Sequence, residues 1–459
     1  MKPAVVALSV LAVLAPAAPA ATVRVVDLSV IGGDPGRFGL FYSGAPGEAN
    51  RLAAAESVPG RAWIVRDAGA TVIPGPNCAA QGDAVACAAP ASATGRPPLS
   101  YVAFDLGDGD DRGRIAGSRF GSAEVDAGPG DDELLVTTGW VNAQMGPGDD
   151  RARGIGDDLL GGGLRRGGLS VFGGAGADAI DAGHHADVDA LYFDKGRGVR
   201  VTLDGRANDG TPGEHDNVAR RVRRVAGSSH DDVLDARAAR GKVTLDGSFG
   251  DDRLFASPAG GGLEGQQGDD VLRGGPGPDG LSGADGDDRL SGGAGDDVLG
   301  GDAGRNVLTG GRGHDSYFVS SATLDVIRAE DGARDRVDCT QQLPRRLVVD
   351  RRDRLTGCAF PATVEGTPTL DRRRRLHITL ACPSLAPGGC RVALRLIDTS
   401  PRPLASARIA IAAGRTATRA IRLTHTPRNL LLTAIAVNHR AQAPASERTT
   451  AEGFQLAPP

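Results

Sequence analysis

The residues best placed to do chemistry in this chain are aspartates that return at every ninth position. From Gly265 to Phe318 six nine-residue units follow one another without a gap: GQQGDDVLR, GGPGPDGLS, GADGDDRLS, GGAGDDVLG, GDAGRNVLT and GGRGHDSYF. Position six holds Asp270, Asp279, Asp288, Asp297, Asn306 and Asp315. Position one is always glycine, position four is Gly268, Gly277, Gly286, Gly295, Gly304 and Gly313, and position eight is leucine until Tyr317. So strict a period means one structural unit stacked on itself, which sets the acids in rows. Stacked carboxylates repel unless a cation lies among them. Acid–base catalysis would need two carboxylates in unlike surroundings, whereas these share one repeated environment. The chemistry implied is the binding of a hard cation, and Ca2+ suits it, because it takes carboxylate and backbone carbonyl oxygens together at about 2.3–2.6 Å.

The elements that must position these acids follow from the other positions. Glycine at positions one and four is expected to supply positive φ for tight turns that aim carbonyls inward. The last three residues of a unit, such as Val298-Leu299-Gly300, alternate as a short strand with one inward side chain. Consecutive leucines must face each other across the core, so two units make one coil. One ladder is then Leu272, Leu290 and Leu308, and the other Leu281, Leu299 and Tyr317. On the same geometry Asp270 stacks on Asp288, Asp279 on Asp297, Asp288 on Asn306 and Asp297 on Asp315. Asp288, flanked on both sides, is expected to tolerate substitution less well than Asp315. The fold class is all-β: a parallel β-roll or β-solenoid, followed by a small C-terminal antiparallel β-sandwich.

The units match GGxGxDxUx, with U a large apolar residue, and this stretch resembles the RTX, or hemolysin-type calcium-binding, repeat. The resemblance implies a right-handed parallel β-roll with calcium held by the position-six aspartates and by loop carbonyls, including those around Gly268, Gly277, Gly286 and Gly295. Asn306 departs from the pattern as a neutral ligand. Pro278, Arg305 and His314 depart at position five, and they weaken the expectation for the last one or two sites. The string AGATVIPGPNC…AVAC with YVAFDLGDGDD is similar to the leading segment of secreted actinobacterial RTX-type proteins.

Looser copies of G-x-G-D-D lie upstream, at residues 107–111, 128–132, 146–150, 154–158, 174–178, 227–232 and 247–252. Their second acids advance by about a coil of chain, with Asp232 to Asp252 and Asp252 to Asp270 leading into the regular array, so Asp232 and Asp252 join the candidate ligands. A solenoid tolerates loop insertions because each coil touches only its neighbours. Between residues 190 and 218 stand Asp204, Asn208, Asp209, Glu214, Asp216 and Asn217. That loop reads either as a further metal site or as polar Asx turns, and it looks like a segment that often precedes the regular array in bacterial RTX-type proteins.

Several features bear on address and partners. Residues 1–20 combine Lys2, an apolar run and Ala18-Pro19-Ala20, the pattern of a Sec-type signal peptide, so an extracellular protein that does not span a membrane is expected. Six cysteines in close pairs, Cys78/Cys87, Cys339/Cys358 and Cys382/Cys390, fit disulfides in an oxidising compartment. The net charge of −5 hides an asymmetry: residues 265–318 carry ten Asp against four Arg, and residues 340–459 carry 19 Arg against seven Asp and Glu. The basic end reads as a solvated face or as a binder of an anionic cell-wall or surface polymer; no nucleic-acid partner is expected. Lysine occurs only at 2, 195 and 242, which codon bias would explain as readily as selection. No H-E-x-x-H and no G-x-S-x-G occurs, the pair His184-His185 reads as surface loop, and no enzyme is expected.

The organisation expected is a signal peptide (1–20), a β-rich segment with Cys78/Cys87 (21–99), an irregular solenoid (100–264), the regular roll (265–318), a disulfide-pinned cap (319–361) and a basic β-sandwich-like module (362–459). The function expected is calcium binding that drives folding, without catalysis. The alternatives are a wall-associated adhesin or rod stiffened by calcium and, behind it, a calcium-dependent hydrolase.

Overall fold

The computed structural model describes residues 20–28, 37–58, 61–90, 99–116, 122–155, 168–183, 187–319, 325–339, 346–349, 352–356, 363–371, 373–382, 390–397, 403–412, 414–423, 431–436 and 450–453. Every element among them is a β-strand. The signal-peptide segment, Asp158 and the His184-His185 pair lie outside the described residues. The chain divides into two compact units, Met1–Leu263 and Glu264–Pro459.

In the first unit the chain winds back and forth between two sheets. Leu99–Asp105, Ser122–Asp126, Trp140–Gln144, Gly168–Phe172 and Asp187–Leu191 lie side by side in one, all parallel. Arg112–Ala116, Glu133–Thr138, Arg151–Gly154, Ala179–Ala182 and Asn217–Val218 do the same in the other. Registration puts inward residues over one another. Ala123, Val141, Leu169 and Val188 form one buried column, and Leu134, Ala152, Ile180 and Val218 the facing one. Small and branched side chains suffice because the core is only two inward residues thick. This is how a chain poor in aromatics buries a core along its whole length.

The beginning of this unit is built differently. Thr22–Asp27 pairs antiparallel with Phe38–Ser43, and Arg51–Val58 with Ala62–Asp67. Phe38–Ser43 and Arg51–Val58 then join the two parallel sheets. Bulk concentrates here: Trp63 and Tyr42 pack against Phe104, with ring centroids 5.8 and 6.4 Å away. The hairpin of Cys78–Gln81 and Ala84–Ala88 is closed by the Cys78–Cys87 disulfide. Cys339 and Cys382 are disulfide-bonded as well.

In the second unit the leucines stack as the period of nine requires. Leu272, Leu290 and Leu308 are in register in one parallel sheet, and Leu281, Leu299 and Tyr317 in the other. The ladders run on beyond the perfect repeats, through Ile327 and Leu347 on one side and Val337 and Leu355 on the other. The described strands between residues 325 and 356 therefore add further rungs despite their looser sequence. Beyond them the strands turn antiparallel. Thr363–Leu370, Arg375–Ala381 and Thr416–Arg422 form one sheet. Pro403–Ile411, Cys390–Ile397, Leu431–Ala436 and Thr450–Gly453 form another.

Candidate functional site: rows of stacked aspartates

The position-six residues of the second unit fall in two rows, each at the end of a turn that leads into a strand. In one row the backbone N–H of Asp270 donates to Asp288 Oδ1 (2.9 Å), that of Asp288 to Asn306 Oδ1 (2.8 Å), and that of Asn306 to Asp325 Oδ1 (3.0 Å). In the other, Asp279 donates to Asp297 (2.9 Å), Asp297 to Asp315 (3.0 Å), Asp315 to Asp335 (2.9 Å) and Asp335 to Asp353 (3.2 Å). The four stackings read from the repeat are all present. Asp325, Asp335 and Asp353, in looser sequence, extend the rows. Asp315 is consequently interior to its row, which corrects the expectation that it stands at an end.

Where the acceptor is Asp288, Asp297, Asp315 or Asp335, one carboxylate oxygen is occupied by the backbone and the other is left over; at Asn306 the amide Nδ2 instead donates to the Ala303 carbonyl at 3.4 Å. The Oδ2 atoms of Asp288, Asp297, Asp315 and Asp335 are buried and accept no hydrogen bond. The residues themselves are 0–1% exposed. A dry, unpartnered carboxylate oxygen is expensive, and the titration behaviour registers that cost. Burial pushes Asp288 up to about 6 and Asp297 and Asp335 up to about 7, against the pull of the donated N–H. Neighbouring carboxylates add to the rise: Asp315 and Asp279 act on Asp297, and Asp315 and Asp353 on Asp335.

The position-one glycines explain where those oxygens point. A Cβ placed on Gly283 would run into Asp288 Oδ2, and one on Gly310 into Asp315 Oδ2. At Gly292 it would meet both Asp297 Oδ2 and, at 2.7 Å, the carbonyl oxygen of Gly310 one coil on. At Gly265 the pair is Asp270 Oδ2 and, at 2.9 Å, the Gly283 carbonyl. Each glycine therefore gives up its side-chain position to a carboxylate oxygen of its own unit and, at Gly265 and Gly292, to a carbonyl of the next coil as well. This corrects the sequence reading of position one. Positive φ falls instead at position four (Gly268, Gly286, Gly295, Gly304, Gly313) and at position two (Gln266, Ala284, Gly293, Asp302, Gly311). Position one excludes a side chain because the space is needed, and Gly277, before Pro278, is not among the positive-φ residues.

A second set of rungs, not anticipated from the sequence, uses position five and runs the other way. Asp287 N–H donates back to Asp269 Oδ1 (2.7 Å), Arg305 N–H to Asp287 (2.8 Å) and His314 N–H to Asp296 (2.8 Å), all exposed. Arg305 and His314 are tolerated there because each donates through its backbone N–H, and His314 Nδ1 in turn accepts the Arg334 N–H at 3.3 Å, in the place of a carboxylate.

The first unit repeats the scheme on one edge only. Asp111, Asp132, Asp150, Asp178 and Asp216 form a row in which each N–H donates to the next carboxylate at 2.8–3.1 Å. The Oδ2 atoms of Asp111, Asp132, Asp150 and Asp178 are buried without a partner, and burial pushes Asp111 and Asp150 up to about 7 and Asp178 to about 8. Asp232 donates to Asp252 (2.7 Å) but is itself fully engaged, by Val199 N–H, Ser228 N–H and the Ser228 hydroxyl. It lacks the spare oxygen of the others.

The acid-rich loop of residues 190–218 is satisfied by protein groups. Asp209 accepts the N–H groups of Thr202 and Val218, and Asp216 accepts those of Asp178 N–H and Tyr192 O–H. The cation here is Lys195, buried at 7% exposure, whose Nζ donates to the Gly174 carbonyl and to Glu214 Oε1 at 2.6 Å. Burial pushes the Glu214 carboxyl up, but Lys195 and the Thr211 N–H outweigh it and hold it below the usual range. The only signal for Lys195 in the sequence was the rarity of lysine.

Among the described residues no three His, Cys, Asp or Glu side chains converge on one point. A cation on these rows must therefore draw on one or two carboxylate oxygens and complete its shell from turn carbonyls, a donor set of hard oxygens that suits calcium. The spare carboxylate oxygens, with a carbonyl of the next coil beside them at Gly265 and Gly292, are donors of the kind such an ion takes. Bound there, calcium would supply positive charge to the buried oxygens of adjacent coils.

A family model for the RTX calcium-binding nonapeptide repeat, in four copies, matches residues 170–188, 264–299 and 282–317. No curated protein matches the chain. The first matched span contains Asp178, and the other two contain both rows of position-six residues. A period of nine, a parallel β-roll, glycines against dry carboxylates and the family match agree: this chain carries RTX calcium-binding nonapeptide repeats.

Proposed function

We propose that this is an exported, non-catalytic calcium-binding protein whose roll is ordered by the ions it binds. The observation that carries the reading is the recurrence of buried, unpartnered carboxylate oxygens at Asp288, Asp297, Asp315 and Asp335. Without a counter-charge these rows oppose folding, and the glycine-rich turns add a large ordering entropy. With calcium the same rows hold successive coils together, so binding energy becomes folding energy. Affinity is expected in the range of extracellular modules, on the order of 10⁻⁴–10⁻³ M.

Export is supported by the signal-like residues 1–20 and by the disulfides. Among the described residues no helix is long and apolar enough to cross a membrane. The absence of protease and lipase motifs and the uniform setting of the acids support a non-catalytic role. The two antiparallel sheets after residue 362 are proposed to pack as a β-sandwich. The test is calorimetric titration of the disulfide-intact chain with calcium, paired with circular dichroism. Saturable binding with a gain of β-signal is expected; an identical spectrum and melting curve in EDTA would refute the reading.

A further inference from the structure

In the first unit the turns that pass from the first parallel sheet to the second carry the aspartate row. Among the described residues, the turns that return do not. Two of them, residues 219–223 between Asn217–Val218 and Arg224–Ala226, and residues 236–242 between Val233–Asp235 and Val243–Asp246, carry the opposite charge. With Gly183 from the neighbouring return turn, Arg220, Arg221, Arg223, Arg240 and Lys242 line a concavity of ≈ 300 Å³.

Three properties separate this cluster from an ordinary solvated face. First, the cations have no acidic side chain to neutralise them. Elsewhere in the same unit arginines pair with acids, as Arg224 does with Asp246 (2.7 Å) and Arg153 with Asp181 (3.2 Å). Among the described residues no carboxylate lies within 4.0 Å of any of these five. Second, the turns that carry them are fixed. Val222 is buried between Arg221 and Arg223. Arg223 N–H donates to the Val188 carbonyl, Arg240 N–H to that of Arg220 and Thr244 N–H to that of Arg223, at 2.8–2.9 Å, and Arg220 Nε donates to the Asp204 carbonyl at 2.8 Å. Third, the like charges gain nothing from one another, so five of them around one hollow raise its energy unless an anion enters.

We propose that this hollow binds a chain of tetrahedral oxyanion esters, phosphate or sulfate. Four of the five cations are arginines, whose planar forks match two oxygens of such a group. A single phosphate monoester brings about −1.5 to −2 of charge, less than half of what five cations call for. The occupant is therefore multiply charged: sulfate esters and phosphodiesters carry one negative charge each, so three or more must come within reach of adjacent turns. The exposed positions of Arg220, Arg223, Arg240 and Lys242 leave the hollow open to a polymer.

The test uses the full-length, disulfide-intact protein in millimolar calcium, titrated with three probes: inorganic sulfate, a sulfated oligosaccharide and a poly(glycerol phosphate) chain. Saturable binding of at least one chain probe, tighter than sulfate and weakening as salt rises, is expected, and the preferred chain identifies the source of the ester. The double substitution Arg223→Gln/Arg240→Gln should reduce that affinity by roughly tenfold to a hundredfold, because each charge-assisted contact contributes about a factor of ten. Its melting temperature should not fall, since both side chains are exposed and their loss relieves like-charge repulsion. Arg373→Gln/Arg374→Gln, in the basic C-terminal region, should bind like the parent. Equal affinity in the first variant, loss only in the second, or no saturable binding of any probe overturns the assignment.

Discussion

The carboxylate of Asp288 receives the backbone N–H of Asp270 at 2.9 Å from one coil earlier. The same carboxylate keeps its other oxygen buried and unpartnered. A single side chain therefore stitches two coils and keeps a second oxygen spare, and the two properties cannot be removed separately by truncation. Replacement by asparagine separates them, since an amide oxygen still accepts the N–H. Asp288→Asn should leave the calcium-free protein folded at least as well as the parent and bind calcium more weakly. Asp288→Ala should lose both, with about 1–3 kcal/mol from the stranded N–H alone. Chemical denaturation with and without calcium distinguishes the two patterns.

Asp315 has rung partners on both sides, Asp297 and Asp335. Asp315→Ala should therefore be about as damaging as Asp288→Ala. A mild effect at Asp315 would mean that the looser coils beyond Phe318 contribute nothing to the row.

Gly292→Ala places a methyl group against Asp297 Oδ2 and the Gly310 carbonyl. A cost of about 1–3 kcal/mol is expected, together with a drop in calcium stoichiometry or affinity. Gly196→Ala is the control: nothing lies within 4 Å of its added methyl, and its effect should stay within about 0.5 kcal/mol. Equal effects at both positions would show that the space beside Gly292 has no special use.

The raised carboxyls make stability depend on pH in a direction opposite to ordinary acid unfolding. Asp297 shifts from 3.8 up to about 7 on folding, so between these values the folded, calcium-free chain holds more protons than the unfolded one. Stability must then fall as pH rises through this window. In EDTA the protein should melt at a higher temperature at pH 5 than at pH 8. In saturating calcium the order should reverse, because protons and ions compete for the same oxygens. Scanning calorimetry at the two pH values, with each additive, measures both signs.

Lys195→Met removes the ammonium from Glu214 and from the Gly174 carbonyl. Breaking a buried pair of this kind costs about 3 kcal/mol, and the loss should be the same with or without calcium. A defect that added calcium repairs would mean that an ion can take the ammonium's place.

The period of nine was enough to place Leu272 over Leu290 and Asp279 over Asp297, because a two-strand coil with one inward residue per strand has no other register. It did not reveal the role of Asp269 and Asp287. Their partners are the backbone N–H groups of residues as different as Asp287 and Arg305, and a backbone partner leaves no mark on side-chain identity. Asp335 was hidden for a related reason: the turn before it has lost its glycine spacing, while the strand Arg336–Asp338 still carries an inward valine. Position one demands glycine as the repeat implies, but for the close approach of a carboxylate oxygen and not for positive φ. A need for room and a need for positive φ write the same letter. Lys195 bridges across 19 and 21 residues of chain to its two partners, a separation that no local pattern encodes.

The opposed directions of the two sets of rungs give a coil such as residues 283–300 two dissimilar sides. Toward the C-terminus a coil offers position-six amides and position-five carboxylates; toward the N-terminus it offers the reverse. Two like sides brought together would set amide against amide and acid against acid, so only head-to-tail addition satisfies both. A growing roll can therefore lengthen by the coil that follows it in the chain, and its bare ends are poor templates for docking onto their own kind.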